Sequence, residues 1–145
     1  MENSYHVLHI DDDVFIRRII EQALGAQFKI TSFANGMEAM MWLESGNVPD
    51  IILTDLRMPM LDGTEMIDLI RSSSLYRHVP IIVLSSADDS ALKVKCIDQG
   101  ADDFIIKPFN PLEIEAKIKA LLRRTNDRRT FRTDFDAARL SPFRQ

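Results

Sequence analysis

The chain has 145 residues, of which 46% are hydrophobic and 28% are charged, a balance typical of one globular domain. Its formal net charge of −4 argues against direct nucleic-acid binding by this domain. The single cysteine, Cys96, excludes an internal disulfide and fits a reducing compartment. No stretch has the pattern of a signal peptide or a membrane span, so we expect a soluble, cytoplasmic protein with no membrane role.

Short apolar runs along the chain predict strands, because they are rich in isoleucine, valine and leucine and are too short for helices. Strands are expected at residues 6–10, 28–33, 50–54, 81–84 and 103–106. The second strand alternates in polarity and is expected at an edge, whereas the third and fourth read as continuous apolar runs covered on both faces.

Stretches with apolar residues at helical spacing separate these strands. Helices are expected at residues 14–24, 37–44, 64–73, 91–99 and 111–124. In the last helix, Asn110 suits the N-cap and Pro111 the first turn. The residues expected to face the core from this helix are Leu112, Ile118, Leu121 and Leu122.

Strict alternation of strand and helix predicts an α/β fold with a parallel sheet, helices on both faces and right-handed crossovers. We expect this domain to span residues 1–124. Residues 125–145 lose the apolar periodicity, which predicts a polar tail or a linker towards an effector module.

Polar residues follow several of the predicted strands. In an open α/β sheet the carboxyl ends of the strands form the ligand-binding edge, so these side chains are expected to meet there. The candidates are Asp11 and Asp12 after the first strand, Asp55 after the third, Ser85 after the fourth and Lys107 after the fifth.

Three carboxylates in one place repel one another and raise one another's pKa. A hard divalent cation with oxygen ligands offsets this repulsion, and Mg²⁺ is the expected ion. Lys107 adds a positive charge that can pair with a carboxylate or a phosphate, and Ser85 adds a hydroxyl donor. Such a site suits phosphoryl transfer to Asp55, which would become an acyl phosphate.

Over roughly residues 5–124 the sequence resembles a response-regulator receiver domain of two-component signalling. The resemblance rests on the order and spacing of several short motifs. These are Asp11-Asp12, Asp55 with Met58-Pro59 and Asp62-Gly63, Ser85, and Lys107-Pro108-Phe109.

The resemblance implies a flavodoxin-like, doubly wound, five-stranded sheet in the order 2-1-3-4-5 and Mg²⁺-dependent phosphorylation of Asp55 by a histidine kinase or a phosphotransfer protein. It implies a metal site made by Asp12 directly, Asp11 through water, Asp55 and the backbone carbonyl of Arg57. Lys107 matches the phosphate-contacting lysine, and the peptide bond from it to Pro108 matches one that is usually cis.

The resemblance also implies a switch. Ser85 matches the hydroxyl that moves towards the phosphoryl group, and Phe104 matches the aromatic residue that then turns inward. The output would be a changed face formed by the fourth helix, fifth strand and fifth helix. That face also resembles the one through which many receivers of transcription factors form homodimers.

Two other functions compete with this interpretation. A Mg²⁺-dependent hydrolase with an aspartyl-phosphate intermediate usually has a second carboxylate two residues after the nucleophile, where this chain has Arg57. A flavodoxin-like FMN binder needs a first loop rich in Ser, Thr and Gly, where this chain has Asp11, Asp12 and Asp13. The sequence therefore favours a switch that is not an enzyme, apart from self-phosphorylation and autophosphatase activity.

Overall fold

The structure is a computed structural model that describes residues 4–86 and 90–139. Within these ranges lie the strands β1 (His6–Ile10), β2 (Lys29–Phe33), β3 (Ile51–Asp55), β4 (Ile81–Ser86) and β5 (Asp103–Lys107). The helices are α1 (Val14–Leu24), α2 (Gly36–Glu44), α3 (Gly63–Ser72), α4 (Ser90–Gln99) and α5 (Pro111–Arg139).

The strands form one parallel sheet in the order β2-β1-β3-β4-β5, which confirms the predicted fold. β3 lies at its centre, and every residue of β3 is buried. A strand covered on both faces must be apolar throughout, which is why Ile51, Ile52 and Leu53 form an unbroken run. Asp55 is the last residue of this strand rather than the first residue of the loop.

Helices cover both faces of the sheet. On one face, Ala39 of α2, Ile67 of α3 and Cys96 of α4 join the apolar core. On the other face the core contains Ile20 of α1 and Ile118 of α5. Apolar helix faces thus lie against both sides of the sheet, which is why its central strand is apolar throughout.

The prediction that Leu112 faces the core is wrong, because its side chain is 71% exposed. The other three residues predicted to face the core from α5, Ile118, Leu121 and Leu122, are buried. At 3.6 residues per turn, position 112 lies on the side of the helix opposite Ile114, which is also buried. Leu112 therefore points away from the sheet.

The predicted end of the last helix at Arg124 is also wrong, since α5 continues to Arg139. The sequence has neither glycine nor proline between Pro111 and Pro142, so nothing breaks the backbone hydrogen-bond pattern. Fifteen further residues extend a helix by about 22 Å. The division into a domain at 1–124 and a tail or linker at 125–145 stays a prediction, and residues 140–145 lie outside the described ranges.

Among the described residues, we find no helix that combines the length and the apolar character needed to cross a membrane.

Candidate functional site

Three carboxylates meet at the carboxyl edge of the sheet. Asp11, Asp12 and Asp55 each offer an oxygen atom, and these atoms all lie within 4.8 Å of one another. β1 and β3 are neighbours in the sheet, and this brings their ends together. The sequence prediction placed these residues at one edge, and the structure brings them into one cluster.

Lys107 lies between two members of this cluster. Its Nζ atom is 3.2 Å from Oδ1 of Asp55 and 3.5 Å from Oδ2 of Asp11. Burial disfavours the ammonium charge, but the two carboxylates outweigh burial and raise the pKa of Lys107. Lys107 is therefore charged at neutral pH and supplies positive charge where the carboxylates converge.

Backbone groups hold the two buried carboxylates. The N–H of Leu56 donates to Oδ1 of Asp55 at 2.8 Å, and the N–H of Asp13 donates to Oδ1 of Asp11 at 2.9 Å. Arg17 donates to the backbone carbonyl of Asp11 at 2.6 Å, which ties α1 to the end of β1. Both carboxylates are thus oriented by their surroundings.

The pKa of Asp11 is raised to about 6, chiefly by burial and also by the neighbouring Asp55, while the hydrogen bond from Asp13 and the charge of Lys107 act in the opposite direction. Burial likewise raises the pKa of Asp55, with Lys107 acting in the opposite direction. Buried carboxylates are costly to ionise unless positive charge lies close to them. A bound cation would supply that charge.

The donor set fits a hard divalent cation. Carboxylate oxygens from three side chains are the ligands that Mg²⁺ and similar ions prefer, and Asp12 is exposed, so the cluster is open to solvent. Arg57, whose carbonyl was expected to join them, is also exposed and lies two residues after Asp55. The acidic cluster is thus suited to a metal ion, and the choice of ion belongs to the proposal below.

The glycine of Asp62-Gly63 has a steric role beside Asp55. A Cβ atom on Gly63 would lie 2.7 Å from the backbone oxygen of Asp55 and 2.9 Å from Cα of Leu56, too close for any other residue. Asp62 caps α3 through a capping box with Glu65. The first turn of α3 is therefore fixed directly against the backbone of the central strand.

Ser85 and Phe104 lie on the other face of the sheet from Lys107. In the pairing of β4 with β5, Val83 lies opposite Phe104 and Ser85 lies opposite Ile106. Ser85 is therefore on the same face of the sheet as Phe104, two positions further along. Ser85 is 3% exposed and Phe104 is 8% exposed, with its ring in the apolar core. The ring thus occupies an inward position, and its rotation stays a prediction.

The peptide bond between Lys107 and Pro108 is cis, as the resemblance implied.

Asp13 caps α1 by accepting hydrogen bonds from the backbone N–H groups of Phe15 and Ile16. It is not among the clustered carboxylates.

Sequence reasoning missed His9, a residue of β1 that lies two positions before Asp11. Its side chain is 0% exposed, and neither ring nitrogen has a hydrogen-bond partner among the described residues. Burial, with the positive charges of Arg17 and Lys107, lowers the pKa of His9 to about 3. The imidazole is therefore neutral in the folded protein at every pH near neutrality.

Acid is expected to destabilise the protein through His9. The unfolded chain takes up a proton near pH 6.5, whereas the folded chain does so only near pH 3. As the pH falls between these values, the free energy of unfolding of wild type is expected to decrease, relative to that of His9→Val, by about 1.4 kcal/mol per pH unit. Urea denaturation of both proteins at pH 7, 6 and 5 measures this difference. If the free energy of unfolding depended on pH equally in wild type and His9→Val, a neutral, buried His9 would be contradicted.

The comparisons with known proteins agree with this geometry. The model of the response regulator receiver domain family matches residues 7–119. The chain is 40% identical over 128 residues to a protein of Guillardia theta named "Probable transcriptional regulator ycf27", covering 87% of this chain and 48% of that one. It spans about half the length of the curated relatives it matches.

Solved structures give the same result. Chemotaxis response regulator CheY4 of Vibrio cholerae superposes with a TM-score of 0.72 at 30% identity, covering 83% of this chain and 98% of that one. The receiver domain of sensor histidine kinase PA1611 from Pseudomonas aeruginosa PAO1, solved with a magnesium ion coordinated in its active site cleft, has a TM-score of 0.71 at 29% identity. That match covers 84% of this chain and 97% of the other. By its sequence and its fold, the chain belongs to the family of response regulator receiver domains.

Proposed function

We propose that Asp55 is the phosphoacceptor of this receiver domain and that the phosphoryl group comes from a phosphohistidine of a sensor kinase or phosphotransfer protein. The observation that carries the proposal is the ion pair of Asp55 with Lys107, at 3.2 Å, inside a cluster of three carboxylates. A carboxylate and a phosphoryl group are both negatively charged and repel each other. A fixed cation and a metal ion beside the carboxylate reduce this repulsion, so that the two groups can approach.

The transfer makes one bond and breaks one. A carboxylate oxygen of Asp55 bonds to phosphorus while the bond from phosphorus to the donor's imidazole nitrogen breaks, and the electron pair of that bond stays on the nitrogen. The N–H of Leu56 and the ammonium of Lys107 both face Oδ1 of Asp55 and hold the carboxylate in one orientation. Water later hydrolyses the acyl phosphate, so any autophosphatase activity returns Asp55 to its original form.

We propose Mg²⁺ as the cation, held by Asp11, Asp12, Asp55 and the backbone carbonyl of Arg57. When bound, Mg²⁺ acts as a Lewis acid that neutralises charge on the transferred group. Lys107 adds a second positive charge at the same place. The three clustered carboxylates and the raised pKa of Asp11 support this assignment.

The phosphodonor is proposed to dock on α1 and the start of α5. The most exposed apolar side chains there are Phe15, at 68%, and Leu112, at 71%. A groove of about 550 Å³ between α1 and the start of α5 is lined by residues that include Ile16, Lys107 and Phe109. Lys107 belongs both to the groove and to the site, so a helix lying in the groove would present its histidine close to Asp55.

Homodimerisation through α4, β5 and α5 stays a proposal. Val94 and Ile106 are exposed on these elements, at 61% and 43%. Asp103 and Lys117 already pair with each other within one chain, at 3.1 Å, so they would exchange partners to join two copies. Control of an effector by this domain is likewise proposed, and the continuation of α5 to Arg139 supports a helical connection.

The Mg²⁺ salt of acetyl phosphate tests the phosphoacceptor proposal without a kinase. Intact-mass spectrometry is expected to show a gain of one phosphoryl group in wild type and in Asp62→Asn, which removes a carboxylate outside the cluster. EDTA and Asp55→Asn are each expected to abolish the gain. An undiminished gain in Asp55→Asn would overturn the assignment of the acceptor.

A further inference from the structure

A lysine of α4 covers the Phe104 ring. The Nζ atom of Lys93 lies 5.7 Å from the centroid of this ring, within the range at which an ammonium is attracted by an aromatic face. Lys93 itself is exposed, whereas Phe104 is 8% exposed. The charged group thus lies on the outer side of a ring whose remaining surface contacts the core.

The two residues reach this contact from different elements. Phe104 projects from β5, and α4 packs against the same face through Cys96, which is 0% exposed, and Leu92. Lys93 follows Leu92 in the first turns of α4. The contact therefore depends both on the position of α4 relative to β5 and on the rotamer of the ring.

Moving the ring outward would break this contact and expose aromatic surface in the place now covered by Lys93. The ring shares its face of the sheet with Ser85, two positions further along β4. Any movement of Ser85 towards Asp55 changes the space on that face. The contact of Lys93 with the ring therefore changes directly when the ring changes position.

We propose that Lys93 is a positioning residue of the switch: its ammonium holds the Phe104 ring in the inward position and thereby shifts the equilibrium between inward and outward rings. The functional part of this inference rests on the proposed phosphorylation of Asp55. The structural part, the effect of Lys93 on the ring, does not depend on phosphorylation.

Two properties of the contact set the expected size of the effect. The contact is at an exposed site and lies near the distance limit, so removal of the charge is expected to lower the ratio of inward to outward rings about two- to fivefold. The effect requires a positive charge and an aromatic ring together. It must therefore be retained in Lys93→Arg, lost in Lys93→Met, which keeps most of the apolar side chain, and absent when position 104 carries leucine.

NMR spectra of protein with ¹³C-labelled phenylalanine measure the ring position, with Phe104→Leu used to assign the resonance. Lys93→Met and Lys93→Gln are expected to shift the Phe104 resonances towards an outward population, while Lys93→Arg and Lys95→Gln leave them unchanged. Lys95 is the matched control, an exposed lysine on the same helix. Unchanged Phe104 resonances in Lys93→Met, or an equal shift in Lys95→Gln, would overturn the proposal.

Phosphorylation kinetics separate this proposal from the function on which it rests. In the wild-type background, Lys93→Gln is expected to change the rate of phosphorylation by acetyl phosphate about two- to fivefold, and in Phe104→Leu it is expected to change nothing. The same change in both backgrounds would contradict a role through the ring. If acetyl phosphate labels no variant, the proposed function fails, and the NMR result still decides the effect of Lys93 on Phe104.

Discussion

Lys107→Ala is expected to lower the rate of phosphorylation by acetyl phosphate about 100-fold or more. Lys107 contacts Asp55 and Asp11, at 3.2 and 3.5 Å, so its removal leaves three neighbouring carboxylates without their fixed cation. A preorganised charge that faces the developing charge of a transition state typically accounts for a factor of about 10² to 10³ in rate. Initial rates from intact-mass spectrometry, with Mg²⁺ in excess, measure the loss.

Lys119→Ala is the matched control for this variant. Lys119 pairs with Glu115 on α5, at 2.7 Å, and lies away from the carboxylate cluster. We expect its phosphorylation rate to equal that of wild type. If a folded Lys107→Ala protein were phosphorylated at the wild-type rate, Lys107 would have no role in phosphorylation.

Asp11→Asn is expected to weaken Mg²⁺ binding by about tenfold or more at pH 7.5, because it removes one of the negative charges that hold the ion, directly or through water. In wild type the affinity is also expected to fall about tenfold per pH unit below about pH 6. The pKa of Asp11 is raised to about 6, and a protonated carboxyl does not bind the ion. Isothermal titration calorimetry at pH 7.5, 6 and 5 measures both effects.

The sign of the effect follows from the raised pKa. Below about pH 6 the folded protein holds a proton on Asp11 that Mg²⁺ must displace, and above it the carboxylate is free to bind. In Asp11→Asn this step is absent, so the affinity is expected to depend less on pH. Asp13→Asn, which keeps an N-cap acceptor on α1, is the control and should bind as wild type does. Equal affinities of Asp11→Asn and wild type would exclude Asp11 as a ligand.

The strand ends were predictable from the sequence for a physical reason. Buried parallel strands are apolar throughout, so the first polar residue marks the edge of the sheet. This reasoning predicts that Asp11, Asp55 and Lys107 lie together, and the structure confirms their proximity. Apolar periodicity likewise gave the core face of α5 at Ile118 and Leu121.

The remaining features depend on information that local patterns do not contain. Leu112 is apolar but lies on the wrong side of its helix. α5 also continues beyond Arg124, where the sequence loses the regular apolar periodicity on which the prediction of its end was based. His9 occupies an inward position of a strand as an apolar residue would, and only the packed structure shows that its ring nitrogens have no partner. The contact of Lys93 with Phe104 joins two elements whose relative position is set by the whole core.

The most direct test of the central claim is the location of the phosphoryl group. Borohydride reduces an acyl phosphate on aspartate to homoserine and releases phosphate, so it marks the residue that carried the group. After treatment with acetyl phosphate and Mg²⁺, peptide mass spectrometry is expected to find homoserine at position 55. Homoserine at position 11 or 12, or a stable phosphoryl group on any other side chain, would contradict the assignment of Asp55 as the phosphoacceptor.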